Sequence, residues 1–169
     1  MNIRNIHERI LDAPLESVGA LIDSLASEDD RLWPKDLWPA MRMNRPLAVG
    51  AQGGHGPIRY TVEAYAAAES VRFRFTAPRG FQGTHGLDLE VLPTGGVRLR
   101  HSLVMQAQGR ARVTWPLLFR PLHDALIEDA FDRAERSLGL PSRERRWPVK
   151  VRVLRWILKR TSRRRSGES

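Results

Sequence analysis

Between Ile58 and Ala107, apolar and polar side chains exchange places residue by residue through four successive runs. Side chains alternate sides only in extended backbone, so this stretch predicts four antiparallel strands that share one apolar face. Ile58, Tyr60, Val62 and Ala64 alternate with Arg59, Thr61, Glu63 and Tyr65; Val71, Phe73 and Phe75 alternate with Arg72, Arg74 and Thr76. With a loop over 65–70 and both apolar sets turned inward, Val62 pairs with Phe73 and Tyr60 with Phe75, while Glu63 stands opposite Arg72 outside. Thr84 to Leu92 and Val97 to Ala107 flank the turn signal Pro93-Thr94-Gly95-Gly96. One face then holds His85, Leu87, Leu89 and Val91, matched by Val97, Leu99, His101, Leu103 and Met105.

Helices are predicted on both sides of this meander. Ile3 to Leu11 reads as an opening strand, with Ile6, Glu8 and Ile10 on one face and His7, Arg9 and Leu11 on the other. Pro14 then suits a first helical position, and Leu15, Val18, Leu21, Ile22 and Leu25 recur at helical spacing. Gly50 to Pro57, four glycines around His55, reads as a turn or loop whose glycines supply positive φ. A last long helix is expected from Trp115-Pro116 to about Leu138, with Phe119, Leu122, Leu126, Ile127, Ala130, Phe131 and Ala134 as its apolar stripe. Asp124, Glu128, Asp129, Asp132 and Glu135 form its other side and read as solvent-facing; Pro121 predicts a helix start or a kink there.

Charge divides the chain in two. Residues 1–142 carry 17 Lys/Arg and 17 Asp/Glu, whereas 143–169 carry 11 Lys/Arg against Glu144 and Glu168, so the whole net charge of +9 sits in the tail. The expectation is one globular domain over 1–142, large enough for a single core without staples, followed by a basic tail over 143–169. The chain has no cysteine, so packing alone must hold it. No apolar run of signal-peptide or membrane-spanning length occurs, which points to a cytoplasmic protein, at most peripheral to a membrane.

The order strand, helix, antiparallel meander, long C-terminal helix resembles the SRPBCC superfamily, the helix-grip proteins that include START domains, Bet v 1-like allergens and polyketide cyclase/dehydrase-like proteins. The likeness rests on Ile10-Leu11-Asp12-Ala13-Pro14-Leu15-Glu16-Ser17-Val18, on Gly50 to Tyr65 followed by Val71 to Phe75, and on the closing amphipathic helix. It implies an α+β fold, a curved antiparallel sheet of six or seven strands wrapped around a long C-terminal helix. It also implies an apolar cavity between sheet and helix, and with it a small hydrophobic, lipid or polyketide-like ligand. The superfamily includes carriers and enzymes, so membership supplies no reaction; non-catalytic binding is preferred, and a cyclase or dehydratase using cavity histidines is the alternative.

On that reading the cavity wall is built from Tyr60, Val62, Phe73, Phe75, His85, Leu87, Leu99, His101, Leu103, Leu126, Ile127 and Phe131, with Trp33, Trp38, His55 and Trp115 near the mouth. His85 and His101 fall on an otherwise apolar face, where a buried imidazole must find a partner. They are anchors for a ligand or, more plainly, strand-end residues satisfied by backbone or water. Trp33, Trp38 and Trp115 each precede proline, which holds Trp33 and Trp38 in extended backbone while Trp115-Pro116 opens the last helix, and their rings serve either as an aromatic rim or as packing. No metal or cofactor is expected, since His7-Glu8 lacks a second histidine four residues on and His123-Asp124 stands among acids read as solvent-facing.

The tail is ambiguous in period: Val149, Val151 and Val153 alternate as in a strand, yet Val149, Val153, Trp156 and Ile157 form a helical stripe, and a short basic amphipathic helix is preferred. Arg145, Arg146, Lys150, Arg152, Arg155, Lys159 and Arg160 would face an anionic partner, a membrane surface ahead of nucleic acid. The plainer reading packs Trp156 and its neighbours on the body or a second subunit.

Overall fold

The computed structural model describes the backbone of residues 1–142 and 146–166, with the side chains of the last helix described up to Leu158 and at Arg160. Seven strands form one antiparallel sheet: β1 (Asn2–Leu11), β2 (Arg42–Met43), β3 (Gln52–His55), β4 (Ile58–Ala66), β5 (Ser70–Ala77), β6 (Phe81–Val91) and β7 (Val97–Ala107), in the spatial order β1-β7-β6-β5-β4-β3-β2. Helix α1 (Leu15–Asp23) follows β1, and beyond β7 come α2 (Ala111–Thr114), a π-helical turn (Trp115–Phe119), α3 (Arg120–Ser137) and α4 (Val149–Ser166). The architecture is α+β, a curved antiparallel sheet holding a long helical stretch, Ala111 to Ser137.

The central register follows from the alternation. Tyr60 pairs with Phe75 and Val62 with Phe73, and His85, Leu87 and Leu89 stand opposite Leu103, His101 and Leu99. A bulge after Val62 sets Ala64 rather than Glu63 opposite Arg72, but the Glu63 carboxylate still accepts from Arg72 Nε at 3.0 Å and from Arg74.

Three expectations are corrected. The glycine-rich segment is not wholly a loop: Gln52–His55 is a strand and only Gly56-Pro57 turns. Side chains cannot fit there, because a Cβ on Gly53 would lie 2.1 Å from the Arg42 carbonyl oxygen and one on Gly54 2.0 Å from that of Ile58. The last helix is not one regular run from Trp115: Pro121 stands in the first turn of α3, the helix start expected there, and Trp115 to Phe119 form a π turn just before it, which accommodates a proline that offers no N–H to the preceding turn.

The third correction concerns the acids of α3, which do not face solvent. In β1 it is Ile6 and Ile10 that are exposed, while Asn5, His7 and Arg9 turn inward toward α3. Arg9 reaches Glu128 at 3.0 Å, Asp132 at 3.1 Å and Glu135 at 2.7 Å, and His7 lies between Glu128 at 2.9 Å and Asp124 at 3.2 Å. The edge strand and the long helix are thus joined by charge rather than by apolar stripes. The apolar side of α3 is left free to face the middle of the sheet.

Candidate functional site: an apolar cavity crossed by histidines

The inward residues of β5, β6 and β7 and the apolar stripe of α3 do not meet everywhere, and a cavity of about 210 Å³ remains between them. Phe73, Phe75, His85, Leu87, His101 and Leu103 line it from the sheet, and Leu126, Ile127 and Phe131 from α3. Tyr60, Val62 and Leu99 are corrected: they are buried in the core but do not line the cavity. Tyr60 lies behind Phe73 and His85, with ring centroids at 4.8 and 5.0 Å, so a shared sheet face does not mean a shared depth.

The tryptophans are placed by local hydrogen bonds. The buried Asp30 carboxylate accepts from the backbone N–H groups of Ala26, Leu32 and Trp33, which fixes the segment entering the first Trp-Pro pair, and Trp33 Nε1 donates to the Pro39 carbonyl at 2.9 Å. Trp33 and Trp115 are buried in the wall, whereas Trp38 is half-buried and donates through Nε1 to Asp129 at 2.7 Å. The exposed lining residues, Pro39, Gly56, Pro57 and Leu158, mark where the cavity meets solvent, with Trp38 and His55 beside them.

All five histidines of the chain belong to one row. Ring centroids step from His7 to His123 at 6.0 Å, on to His101 at 5.0 Å and to His85 at 5.8 Å, and Tyr60 connects His85 to His55 at 5.0 and 5.9 Å. At the outer end His55 Nδ1 lies 3.3 Å from the Tyr60 hydroxyl and the ring packs on Trp33. His85 is stacked on Phe73 and Phe75. Its Nε2, His101 Nδ1 and both His123 nitrogens are buried without a hydrogen-bond partner from the described residues; His123 Nδ1 stands 3.5 Å from Asp124 Oδ1, too long for a well-formed bond.

The electrostatics of the row are graded. Hydrogen bonds to Asp124 and Glu128 raise His7 to about 9 and keep it a cation. Burial holds His85 and His101 well below the ordinary imidazole range, and neighbouring imidazoles push the same way. Burial also lowers His123, with the contact to Asp124 opposing it. His7, His123 and Asp124 bring one ligand atom each within 4.8 Å of one another. Both His7 nitrogens already face carboxylates, and a protonated imidazole does not ligate a metal.

A pH dependence follows. A histidine kept neutral in the fold but free to protonate when unfolded contributes stability above pH 6.5 that is lost as pH falls below it. A histidine raised to about 9 contributes stability that is full below 6.5 and lost as pH rises through 9. Between pH 7 and 5.5 the loss from His55, lowered by burial to about 3, and from His85 and His101 outweighs the gain from His7, for a net cost of about 3 kcal/mol. Urea unfolding at a series of pH values checks this; a midpoint that is flat or rises on acidification contradicts it.

No protein-family model matches the chain, and no curated protein matches it. Solved structures do. A protein from Nitrosospira multiformis superposes with a TM-score of 0.59 at 17% identity, covering 79% of this chain and 95% of that one. The di-domain ARO/CYC StfQ from the steffimycin biosynthetic pathway gives 0.60 at 9% identity over 82% of this chain and 51% of its own. Ara h 8.0201 gives 0.54 at 13% identity over 82% and 99%. The chain shares the helix-grip fold of these structures. At such identities the likeness is one of fold, and the residues of the helix-grip cavity must be read from this chain itself.

Sequence reasoning left out several residues of the helix-grip cavity. His123 was set aside with the acids of α3, although it follows Phe119 by four residues and precedes Ile127 by four, a position the apolar stripe had already marked. Leu158 was missed because it lies in the tail, whose placement no local pattern predicts. Of the basic residues, Arg145 and the side chain of Lys159 lie outside the described residues, and Arg146, Lys150, Arg152 and Arg160 are exposed. Arg155 is corrected: it is not offered to a partner, because its guanidinium lies between the rings of Trp38 at 4.1 Å and Trp147 at 4.0 Å. It also donates to the Leu37 carbonyl. Among the described residues no helix is long and apolar enough to cross a membrane.

Proposed function

We propose that the protein binds one small, largely apolar molecule bearing a hydroxyl or carbonyl group, and does not transform it. The observation that carries this reading is the set of unpartnered nitrogens, His85 Nε2, His101 Nδ1 and those of His123, on the wall of a largely apolar cavity. A neutral imidazole has one donor and one acceptor, and leaving a buried polar atom unsatisfied costs about 1–3 kcal/mol. A guest with one polar group among apolar atoms recovers that cost while its rings lie against Phe73, Phe75 and Phe131. At about 210 Å³ the cavity is smaller than the roughly 300–1,000 Å³ of pockets for drug-sized ligands, which favours a compact, polyketide-like aromatic over a long-chain lipid.

The alternative is a polyketide cyclase or dehydratase-like enzyme with a cavity histidine, such as His101, as general base; the structurally similar StfQ is an ARO/CYC. A general base works best with a pKa near the working pH, and burial drives His101 well below that, which favours binding. Calorimetric titration with 1-naphthol and with naphthalene tests the proposal: 1-naphthol is expected to bind at one site per chain and at least tenfold more tightly. Equal affinities, or no saturable binding of either, would reject it.

A further inference from the structure

Helix α4 has two apolar faces, and only one is used by the fold. The inner face is tied to the body: Val151 is buried, Leu158 lines the cavity and Arg155 is held between Trp38 and Trp147. Trp38 and Trp147 in turn both donate to Asp129, at 2.7 and 2.8 Å, so the attachment is a connected set of contacts rather than a single one. The outer face carries Val149, Val153 and Trp156, spaced i, i+4, i+7, with 70%, 50% and 55% of their surface exposed. Lys150 and Arg152 are exposed on its two flanks, and Arg160 lies over the Trp156 ring at 4.0 Å.

We infer that this outer face docks on an anionic lipid bilayer surface. An apolar strip bordered by cations matches an interface in which acyl chains lie just below anionic headgroups. A second copy of the chain is disfavoured because the same face on both partners would bring two segments together that each carry the +9 surplus. Nucleic acid would use the cations but leave Val149 and Val153 without a matching surface. Leu158 and the cavity opening lie on the inner face, so the docking itself does not rest on the ligand-binding reading above.

Sedimentation of the full chain with vesicles of phosphatidylcholine, with and without 30% phosphatidylglycerol, tests the inference. Binding is expected only to the anionic vesicles, and to weaken as salt is raised. The exposed pair Val153→Ser and Trp156→Ser should reduce it at least tenfold while leaving 1-naphthol binding in solution unchanged. Quenching of tryptophan emission by brominated acyl chains should largely vanish in Trp156→Phe. The inference is overturned by equal binding to both vesicle types, by serine variants that bind as well as the parent, or by tighter retention on an oligonucleotide than on anionic vesicles. A solution dimer that protects Trp156 overturns it too. Loss of naphthol binding with vesicle binding intact would instead count against the cavity reading alone.

Discussion

Replacing Arg9 by methionine is expected to destabilise the fold by about 3–5 kcal/mol, the usual cost of removing one partner from a buried ion pair. The guanidinium is the common counterion of Glu128, Asp132 and Glu135, and the Arg9, Asp132 and Glu135 side chains are only 14%, 5% and 13% exposed. Without it three carboxylates converge unneutralised, and the attachment of α3 to β1 is left to His7 and Asn5. Methionine fills similar volume, so the loss reports charge rather than packing. Lysine keeps the charge but lacks the planar fork and should recover only part of it. Urea unfolding at pH 7 measures the effect, and a loss under 1 kcal/mol would mean that the acids are solvated well enough to need no partner.

The second large effect has two parts of opposite sign. Changing His85 and His101 to leucine removes two buried imidazoles with unpartnered nitrogens, so the ligand-free protein should gain about 1–3 kcal/mol, or several degrees in Tm. Affinity for 1-naphthol should fall at least tenfold, while that for naphthalene changes little. A residue kept at a cost to stability and needed for binding is the signature of a functional group. Were the histidines ordinary core residues satisfied by the fold, the same change would destabilise the protein and leave both affinities where they were. If the protein is instead an enzyme, His101→Leu abolishes turnover without affecting affinity for a purely apolar guest.

Much of the sheet was legible because period-2 patterns tolerate one register: a one-residue slip between β4 and β5 would turn Phe73 and Phe75 to solvent. The pattern misled where polarity and location part company. In β1 the isoleucines are outside and the charged residues inside, because what faces Arg9 is a set of acids 119 to 126 residues away in the chain, which no local window contains. The same blindness made the acids of α3 read as a solvent face. Parity names the face of a sheet but not the depth beneath it, so Phe73 and Phe75 were placed with Tyr60 and Val62 although only the first pair lines the cavity. His85 and His101 were visible as polar residues out of pattern. That His123 completes their row depends on how α3 crosses the sheet, and that Leu158 borders the cavity depends on Arg155 seating between two tryptophans, both tertiary facts.

The central claim is that the space between sheet and long helix holds a small guest whose polar group meets the unpartnered histidines. The most direct measurement is an NMR titration of the full chain with 1-naphthol, following the imidazole and aromatic signals. The account predicts saturable shifts at one equivalent, largest at His85 and His101, with intermolecular contacts to Phe73, Phe75 and Phe131. Shifts confined to Trp156 and the outer face of α4, or no change in the imidazole signals at saturation, would contradict it.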